Sequence, residues 1–173
     1  MFTSHDSSAY QAVAEFYRGK YAKRSGVPYM NHIDEGLVIL NALGARYDAS
    51  AAFCIHPIVQ RDSDFLALLD DGGILQKYGV YLEAVLLAME YRSVANSYLP
   101  VHVDDIDREV PLSCSDEVNK MLIADKVQNF KDFEHYHEKT HSQAGRLRWY
   151  FQSWLGALRV GPERYEELKK LIE

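Results

Sequence analysis

The sequence predicts an all-α fold, a helical bundle in one domain that spans residues 1–173. Apolar residues recur at three- and four-residue spacing through most of the chain, which is the period of amphipathic helices. Glycine, proline, serine and aspartate interrupt these segments at positions typical of helix caps and breaks. No alternating run is long enough to predict a sheet, and no repeat or linker indicates a second domain.

Length and composition limit the class of protein. With 173 residues, of which 47% are hydrophobic, the chain can bury a core without disulfides or a structural metal. The formal net charge of −6 argues against nonspecific binding to nucleic acid or to an anionic membrane, because both need a basic surface. We therefore expect neither nucleic acid nor a membrane as a partner.

Cysteine usage and the start of the chain predict a cytoplasmic protein. Cys54 lies in an apolar helix and Cys114 at a helix start, so the two form neither a disulfide framework nor a zinc pair. The residues after Met1 are polar and lack the apolar core of a signal peptide. No later apolar run approaches the length of a membrane span.

The first two helices are predicted from their caps. Ser7 or Ser8 can cap the first helix. The segment 25–28, Ser-Gly-Val-Pro, breaks the chain before a second helix that Gly44 can end. The residues of the second helix at three- and four-residue spacing are His32, Ile33, Gly36, Leu37, Ile39, Leu40 and Leu43.

Two short helices are expected next. Asp48 can cap a nearly all-apolar segment, residues 49–55, which must be buried because it has no polar face. Pro57 is expected to end this helix, since proline lacks a helical donor and disfavours the α conformation of the preceding residue. Another short helix opens at residues 61–64 and continues through Leu69.

The second half of the chain continues the helical pattern. A longer helix is predicted over about 80–98, and residues 99–111, with two prolines and four acidic residues, are predicted to form a long surface loop. Further helices are expected over about 115–137, 142–158 and 161–173. The predicted inner face of the longer helix is Leu82, Val85, Leu86, Met89 and Ala95.

Three short motifs suggest a metal site. Residues 24–32 read Arg-Ser-Gly-Val-Pro-Tyr-Met-Asn-His, residues 51–57 read Ala-Ala-Phe-Cys-Ile-His-Pro, and residues 123–129 read Ile-Ala-Asp-Lys-Val-Gln-Asn. Each motif falls on or beside a predicted helix. Two histidines and a distant carboxylate on separate helices can converge on one divalent ion in a helical bundle.

In this order, the three motifs resemble the HD-domain superfamily, and within it the hydrolase domain of the RelA/SpoT group and its small stand-alone relatives. The resemblance covers roughly residues 10–155. It implies an HD-domain-like bundle, manganese or a similar divalent cation as cofactor, and removal of pyrophosphate from the alarmone ppGpp.

The resemblance also implies roles for individual residues. The metal ligands would be His32, His56 and Asp125. By the same resemblance, Arg24 would lie near the base or phosphates of the nucleotide, and Asn129 would contact its sugar or base. Apart from the resemblance, Arg61 and Arg92 are further candidates to hold the phosphates. For Arg92, which lies one turn before Asn96, a plain helix surface is an equal alternative.

Two departures from the family pattern weaken the metal chemistry. Pro57 stands where the family carries the aspartate that follows its histidine, so the ion would lack one anionic ligand. Gln60 and Arg61 stand where the family usually has an acidic pair that handles the attacking water. Loss of a general acid or base typically costs ~10²- to 10⁴-fold in rate. We therefore assign no catalytic residue.

Three interpretations of function follow. The first is a ppGpp-hydrolase-like protein that binds a nucleotide such as ppGpp or a nucleoside triphosphate, or a protein partner. Its metal site is weakened or lost, so that it holds a cation loosely or not at all, and it turns over slowly or not at all. The second is an active metal-dependent phosphohydrolase in which Glu35, Asp62 or Asp64 replaces the missing ligand. The third is a non-catalytic inhibitor or adaptor with a protein partner.

Other polar and aromatic residues are expected at the surface or at the edge of the core. His135, His137 and His141 could suggest a metal cluster, but exposed polar histidines are the better expectation, since His135 and His137 point to different faces of a helix. The tyrosines near Arg24 are expected at the edge of the core, although a purine could stack on one of them. These tyrosines are Tyr10, Tyr17, Tyr21 and Tyr29.

Overall fold

The computed structural model describes residues 7–23, 25–60, 73–102 and 108–173. These residues form an all-α structure, which confirms the predicted fold class. Its helices are α1 (Ser8–Phe16), α2 (Met30–Ala42), α3 (Tyr47–Gln60), α4 (Ile74–Lys77), α5 (Leu82–Ser97), α6 (Asp116–Asp132), α7 (Ala144–Ala157) and α8 (Pro162–Lys169), with a 3₁₀ turn at Pro100–His102 and a π-helical turn at Phe133–His137. None of the described helices is long and apolar enough to cross a membrane.

Helix α3 lies at the centre of the bundle. It packs against α1, α2, α5 and α6. Every residue from Ala51 to Val59 is buried, so the helix has no solvent-facing side along this stretch. Because water cannot reach this segment, its polar groups must be satisfied within the protein.

Helices α3 and α5 run parallel, and a hydrogen bond joins them at each end. The Tyr81 hydroxyl donates to Asp48 Oδ1 at 3.1 Å near their N-terminal ends. Gln60 Nε2 donates to Asn96 Oδ1 at 3.1 Å near their C-terminal ends. The buried residues of α5 between these bonds are Ala84, Ala88, Tyr91 and Ala95.

The predicted inner face of α5 was wrong for its large aliphatic residues. Leu82 is 65% exposed, Leu86 is 54% exposed and Met89 is 38% exposed, whereas Ala95 is buried as predicted. The face that contacts α3 carries mostly alanine, because small side chains let two backbones approach closely when one helix is already apolar all round.

The prediction that Pro57 ends the third helix was also wrong. Helix α3 continues through Pro57 to Gln60. The Phe53 carbonyl, which loses a backbone donor at residue 57, is bonded instead by the ring of His56, with 2.6 Å between His56 Nδ1 and Phe53 O. Asp48 lies in the first turn of α3, which begins at Tyr47, rather than at its cap.

Helices α2 and α6 pack together in opposite directions. Near the end of α2, Lys120 Nζ donates to Gly44 O at 3.2 Å, and Glu117 Oε2 accepts from the Arg46 N–H at 2.8 Å. At the other end, His32 of α2 meets Gln128 of α6. This pairing brings the N-terminal turn of α2 beside the C-terminal half of α6.

Several predicted helix boundaries are confirmed. Ser7 caps α1, its hydroxyl accepting from the Tyr10 N–H. Gly44 has φ +62° just after α2, a conformation that glycine adopts without steric cost. Pro162 occupies the first turn of α8. The short helix predicted over residues 61–69 lies outside the described residues.

Gly36 of α2 allows a close contact between α2 and α3. A Cβ atom at Gly36 would lie 2.1 Å from Cε1 of Phe53 and 2.3 Å from its Cζ. The Phe53 ring in turn lies beside the rings of His32 and His56, with centroids 5.5 Å and 4.7 Å away. The absent side chain of Gly36 therefore lets Phe53 pack against both imidazoles.

We expect Gly36→Ala to lower the free energy of unfolding by about 1–3 kcal/mol, because the added methyl overpacks the Phe53 ring. Urea unfolding followed by circular dichroism measures the change. Gly156→Ala in α7 is the matched control: nothing lies within 4 Å of a Cβ there, so it should be neutral or stabilise by up to ~1 kcal/mol. Equal unfolding midpoints for the wild type and Gly36→Ala would contradict the packing argument.

Candidate metal and nucleotide site

A cavity of about 510 Å³ opens where α2, α3 and α6 meet. Its polar residues include the predicted ligands His32, His56 and Asp125, together with Gln60 and Asn129. Its aromatic and apolar residues include Tyr17, Tyr29, Phe133, Leu147 and Phe151. The cavity therefore combines a cluster of nitrogen and oxygen donors with aromatic surface.

The three predicted metal ligands come together although they are far apart in sequence. His32 Nε2 lies 3.2 Å from His56 Nε2 and 3.6 Å from Asp125 Oδ1. One ligand atom from each of the three residues lies within 4.8 Å of the other two. Each residue belongs to a different helix, α2, α3 or α6, so the packing of these helices determines the distances.

The hydrogen bond of His56 determines which ring nitrogen carries the proton. A carbonyl oxygen can only accept, so the 2.6 Å contact with Phe53 O requires a proton on His56 Nδ1. Burial is the main reason that the pKa of His56 is lowered to about 3, and the nearby His32 also lowers it. His56 is therefore neutral at physiological pH, with a lone pair on Nε2.

The tautomer of His32 follows from Gln128. Gln128 Nε2 donates to Glu35 Oε2 at 3.0 Å and to Asp132 Oδ2 at 2.8 Å, so its amide nitrogen faces two carboxylates. Its Oε1 must then accept the proton of His32 Nδ1, at 2.6 Å. His32 thus also directs an Nε2 lone pair toward the centre of the cluster.

This arrangement fits a divalent cation. Two facing lone pairs 3.2 Å apart repel each other unless a proton or a cation lies between them. Nitrogen ligands at about 2.1 Å from an ion lie about 3.0 Å apart in octahedral and about 3.4 Å apart in tetrahedral geometry. Both imidazoles already donate their Nδ1 protons to oxygen acceptors, as metal-binding histidines usually do. His32, His56 and Asp125 could therefore hold an ion of the manganese type.

Asp125 is also bound to a buried lysine. Lys126 Nζ lies 2.7 Å from Asp125 Oδ2, and both side chains are buried. Asn129 Nδ2 donates to Asp125 Oδ1 at 2.8 Å. Burial alone would raise the pKa of Asp125, but the Lys126 ammonium and the two imidazoles outweigh it and lower the pKa to about 2. Asp125 is thus ionised, and Lys126 already neutralises its charge.

The remaining predicted site residues have different outcomes. Gln60 and Asn129 line the cavity, whereas Arg92 is not among its lining residues. Arg24 and Arg61 lie outside the described residues, as do the candidate ligands Asp62 and Asp64.

Glu35, named above as a possible compensating ligand, lies outside the cluster of His32, His56 and Asp125. Both of its carboxylate oxygens lie 2.7 Å from Lys131 Nζ. One of them also accepts from Gln128. Glu35 is therefore linked to the site through Gln128, which orients His32, and through Lys131, which also lies beside Asp132.

Two histidines expected at the surface belong to the cavity instead. His137 and His141 are half-buried and line it, while His135 is exposed as predicted. The π-helical turn has an i→i+5 bond from the Glu138 N–H to Phe133 O at 2.8 Å. The extra residue in this turn changes the direction of the following side chains, and π turns often occur at functional sites.

Lys126 and Gln128 were missed as site residues by the sequence reasoning. Lys126 directly follows Asp125 in the third motif, but the sequence does not show that its side chain is buried. Its ammonium lies 5.0 Å from the Trp154 ring. A lysine directly after a candidate ligand, with an aromatic helix later in the chain, was the available signal.

We expect Lys126→Met to lower the free energy of unfolding by about 3–5 kcal/mol, because it leaves Asp125 buried without its counter-charge. Urea unfolding measures the change, with Lys139→Met at an exposed lysine as the matched control. The double variant Asp125→Asn/Lys126→Met should recover most of the loss, because no uncompensated charge remains. A Lys126→Met protein as stable as the control would show that the pair contributes little.

Comparison with known proteins gives no relative for this chain: no protein-family model, no curated protein and no solved structure matches it.

Proposed function

We propose that this protein binds a nucleotide phosphate such as ppGpp or a nucleoside triphosphate, and that His32, His56 and Asp125 hold a divalent cation beside the phosphates. We further propose that it is weak or inactive as a phosphohydrolase. The observation that carries the proposal is the convergence of two Nε2 lone pairs and a carboxylate oxygen in a cavity with aromatic walls.

The charge of the cavity supports a role for the cation. Among its described lining residues there is no lysine or arginine, and Asp125 and Asp132 are acidic. A phosphate group would therefore find little positive charge on the described residues alone. When bound, a divalent ion supplies the positive charge that phosphate oxygens need. His137 and His141 add ring nitrogens that can donate to phosphate oxygens.

The carboxylates near the site support weak hydrolysis. A general base must accept a proton from water, and the Gln60 amide cannot do so near neutral pH. Asp125 is bound to Lys126, and Asp132 Oδ1 lies 3.0 Å from Lys131 Nζ. Both described carboxylates of the cavity are thus held in ion pairs with a lysine, which supports slow hydrolysis.

The aromatic walls support a ligand with a planar base. Tyr17 and Tyr29 pack together with ring centroids 5.3 Å apart, and Phe133 and Phe151 with centroids 5.7 Å apart. Aromatic rings offer flat apolar surface on which a nucleobase can stack. The cavity volume lies in the range typical of small-molecule sites.

We expect isothermal titration of the purified protein with MnCl₂ alone to show one binding site, and His56→Ala to abolish it, because two remaining donors hold the ion poorly. His135→Ala, at an exposed histidine outside the cavity, is the matched control and should bind like the wild type. Binding that survives in His56→Ala, or no binding to the wild type at millimolar Mn²⁺, would refute the proposed cation site.

We expect Tyr29→Leu to weaken binding of GTP in the presence of Mn²⁺ by about 5- to 100-fold, the typical contribution of one base–aromatic stack. Binding of inorganic pyrophosphate should not change, because it has no base to stack. Tyr21→Leu is the control, since Tyr21 is 58% exposed and outside the cavity lining. Equal losses for both ligands would indicate a general structural defect and would contradict base stacking at Tyr29.

Hydrolysis is tested on the same samples. The proposal predicts little release of phosphate or pyrophosphate from ppGpp and GTP with Mn²⁺ over hours. Rapid turnover, abolished by His56→Ala, would favour the active metal-dependent phosphohydrolase instead.

A further inference from the structure

We infer that Pro57 is a positioning residue for the cation site, because its missing N–H makes the Phe53 carbonyl available to hold His56 in the ligating tautomer. The purpose of this hydrogen bond rests on the proposed function. The tautomer itself does not, since it can be measured in protein that contains no metal. Pro57 would then have a role of its own at a position where the resemblance suggested only a lost ligand.

The inference starts from the backbone of α3. In a regular helix the N–H of residue 57 would donate to the carbonyl of residue 53. Proline has no N–H, and its ring also crowds the carbonyl four residues earlier. Phe53 is fully buried, so its carbonyl cannot turn to water. An unsatisfied buried carbonyl costs about 1–3 kcal/mol, which is a strong reason to find another donor.

The ring of His56 is that donor. The distance of 2.6 Å between His56 Nδ1 and Phe53 O is short for a nitrogen–oxygen hydrogen bond. The bond requires the proton on Nδ1 and leaves Nε2 as the acceptor. Nε2 then points toward the other ligand atoms, 3.2 Å from His32 Nε2.

Proline in place of aspartate at position 57 gives up a charged ligand and gains better support for the neighbouring ligand His56. An aspartate at position 57 would add negative charge to the ligand set. Proline adds none, but it removes the backbone donor that would compete with the imidazole for the Phe53 carbonyl. The second ring nitrogen of a ligating histidine usually donates a hydrogen bond to a nearby group. When that group is removed, metal affinity commonly falls by about 10- to 100-fold.

A purely structural role for Pro57 is the alternative. A carbonyl has two lone pairs, so His56 could in principle share Phe53 O with a backbone N–H at position 57. In that case restoring the N–H would change neither the tautomer nor the metal affinity. The two accounts therefore differ in a measurable way.

The test is Pro57→Ala, which restores the backbone N–H without adding a polar side chain. Alanine is the better helix former, so α3 should be retained, and circular dichroism checks this. In metal-free protein, long-range ¹H–¹⁵N spectra of the histidine rings report the tautomers. We expect His56 to be in the Nδ1–H form in the wild type and in a mixture with the Nε2–H form in Pro57→Ala. Pro162→Ala, at the start of α8, is the control and should leave His56 unchanged.

The second measurement is titration with MnCl₂ alone, for which we expect about tenfold weaker binding to Pro57→Ala than to the wild type. An Nε2–H tautomer in the wild type, or an unchanged tautomer in Pro57→Ala, would overturn the inference. A changed tautomer with unchanged affinity would overturn the positioning role. If the wild type binds no Mn²⁺ at all, the proposed function fails and with it the positioning role, while the spectra still decide whether Pro57 controls the His56 tautomer.

Discussion

The structure depends on one constraint: helix α3 is buried on every side for most of its length, so each of its polar groups needs a partner inside the protein. Small residues on α5 and the absent side chain of Gly36 let the neighbouring helices approach it closely. Within α3 the only charged or strongly polar side chain that is fully enclosed is His56. Its two ring nitrogens face the Phe53 carbonyl and the ligand cluster, so the packing of the core and the geometry of the site have the same origin.

The parts of the fold that local chemistry controls could be predicted from the sequence. Ser7, Gly44 and Pro162 act through their own backbone or side-chain geometry, and they mark helix ends where expected. The convergence of His32, His56 and Asp125 was predicted from the order of three motifs. Packing then brings these residues together across three helices, which no single motif could show.

The parts that depend on packing could not be predicted. Which face of α5 is buried depends on its neighbour, and the fully apolar α3 selects the alanine face over Leu82 and Leu86. His137 faces the cavity because of a π turn, and no cap or break residue in the sequence predicts that turn. Pro57 remains inside α3 because a neighbouring side chain replaces the lost backbone donor. Tertiary packing selects the alanine face of α5, whereas the π turn and the His56–Phe53 bond are local contacts that the residue types alone do not indicate.

The buried Lys126 beside Asp125 has a consequence for how the protein handles its ligand. Where several carboxylates crowd an empty metal centre, their mutual repulsion makes the apoprotein fragile, so that occupancy and folding become one process. Here the ammonium group balances the carboxylate before any ion arrives. Under the proposed function, the polypeptide would therefore stay folded whether or not the site holds an ion. If the proposed cation site is present, a chelator would then remove the ion without denaturing the chain.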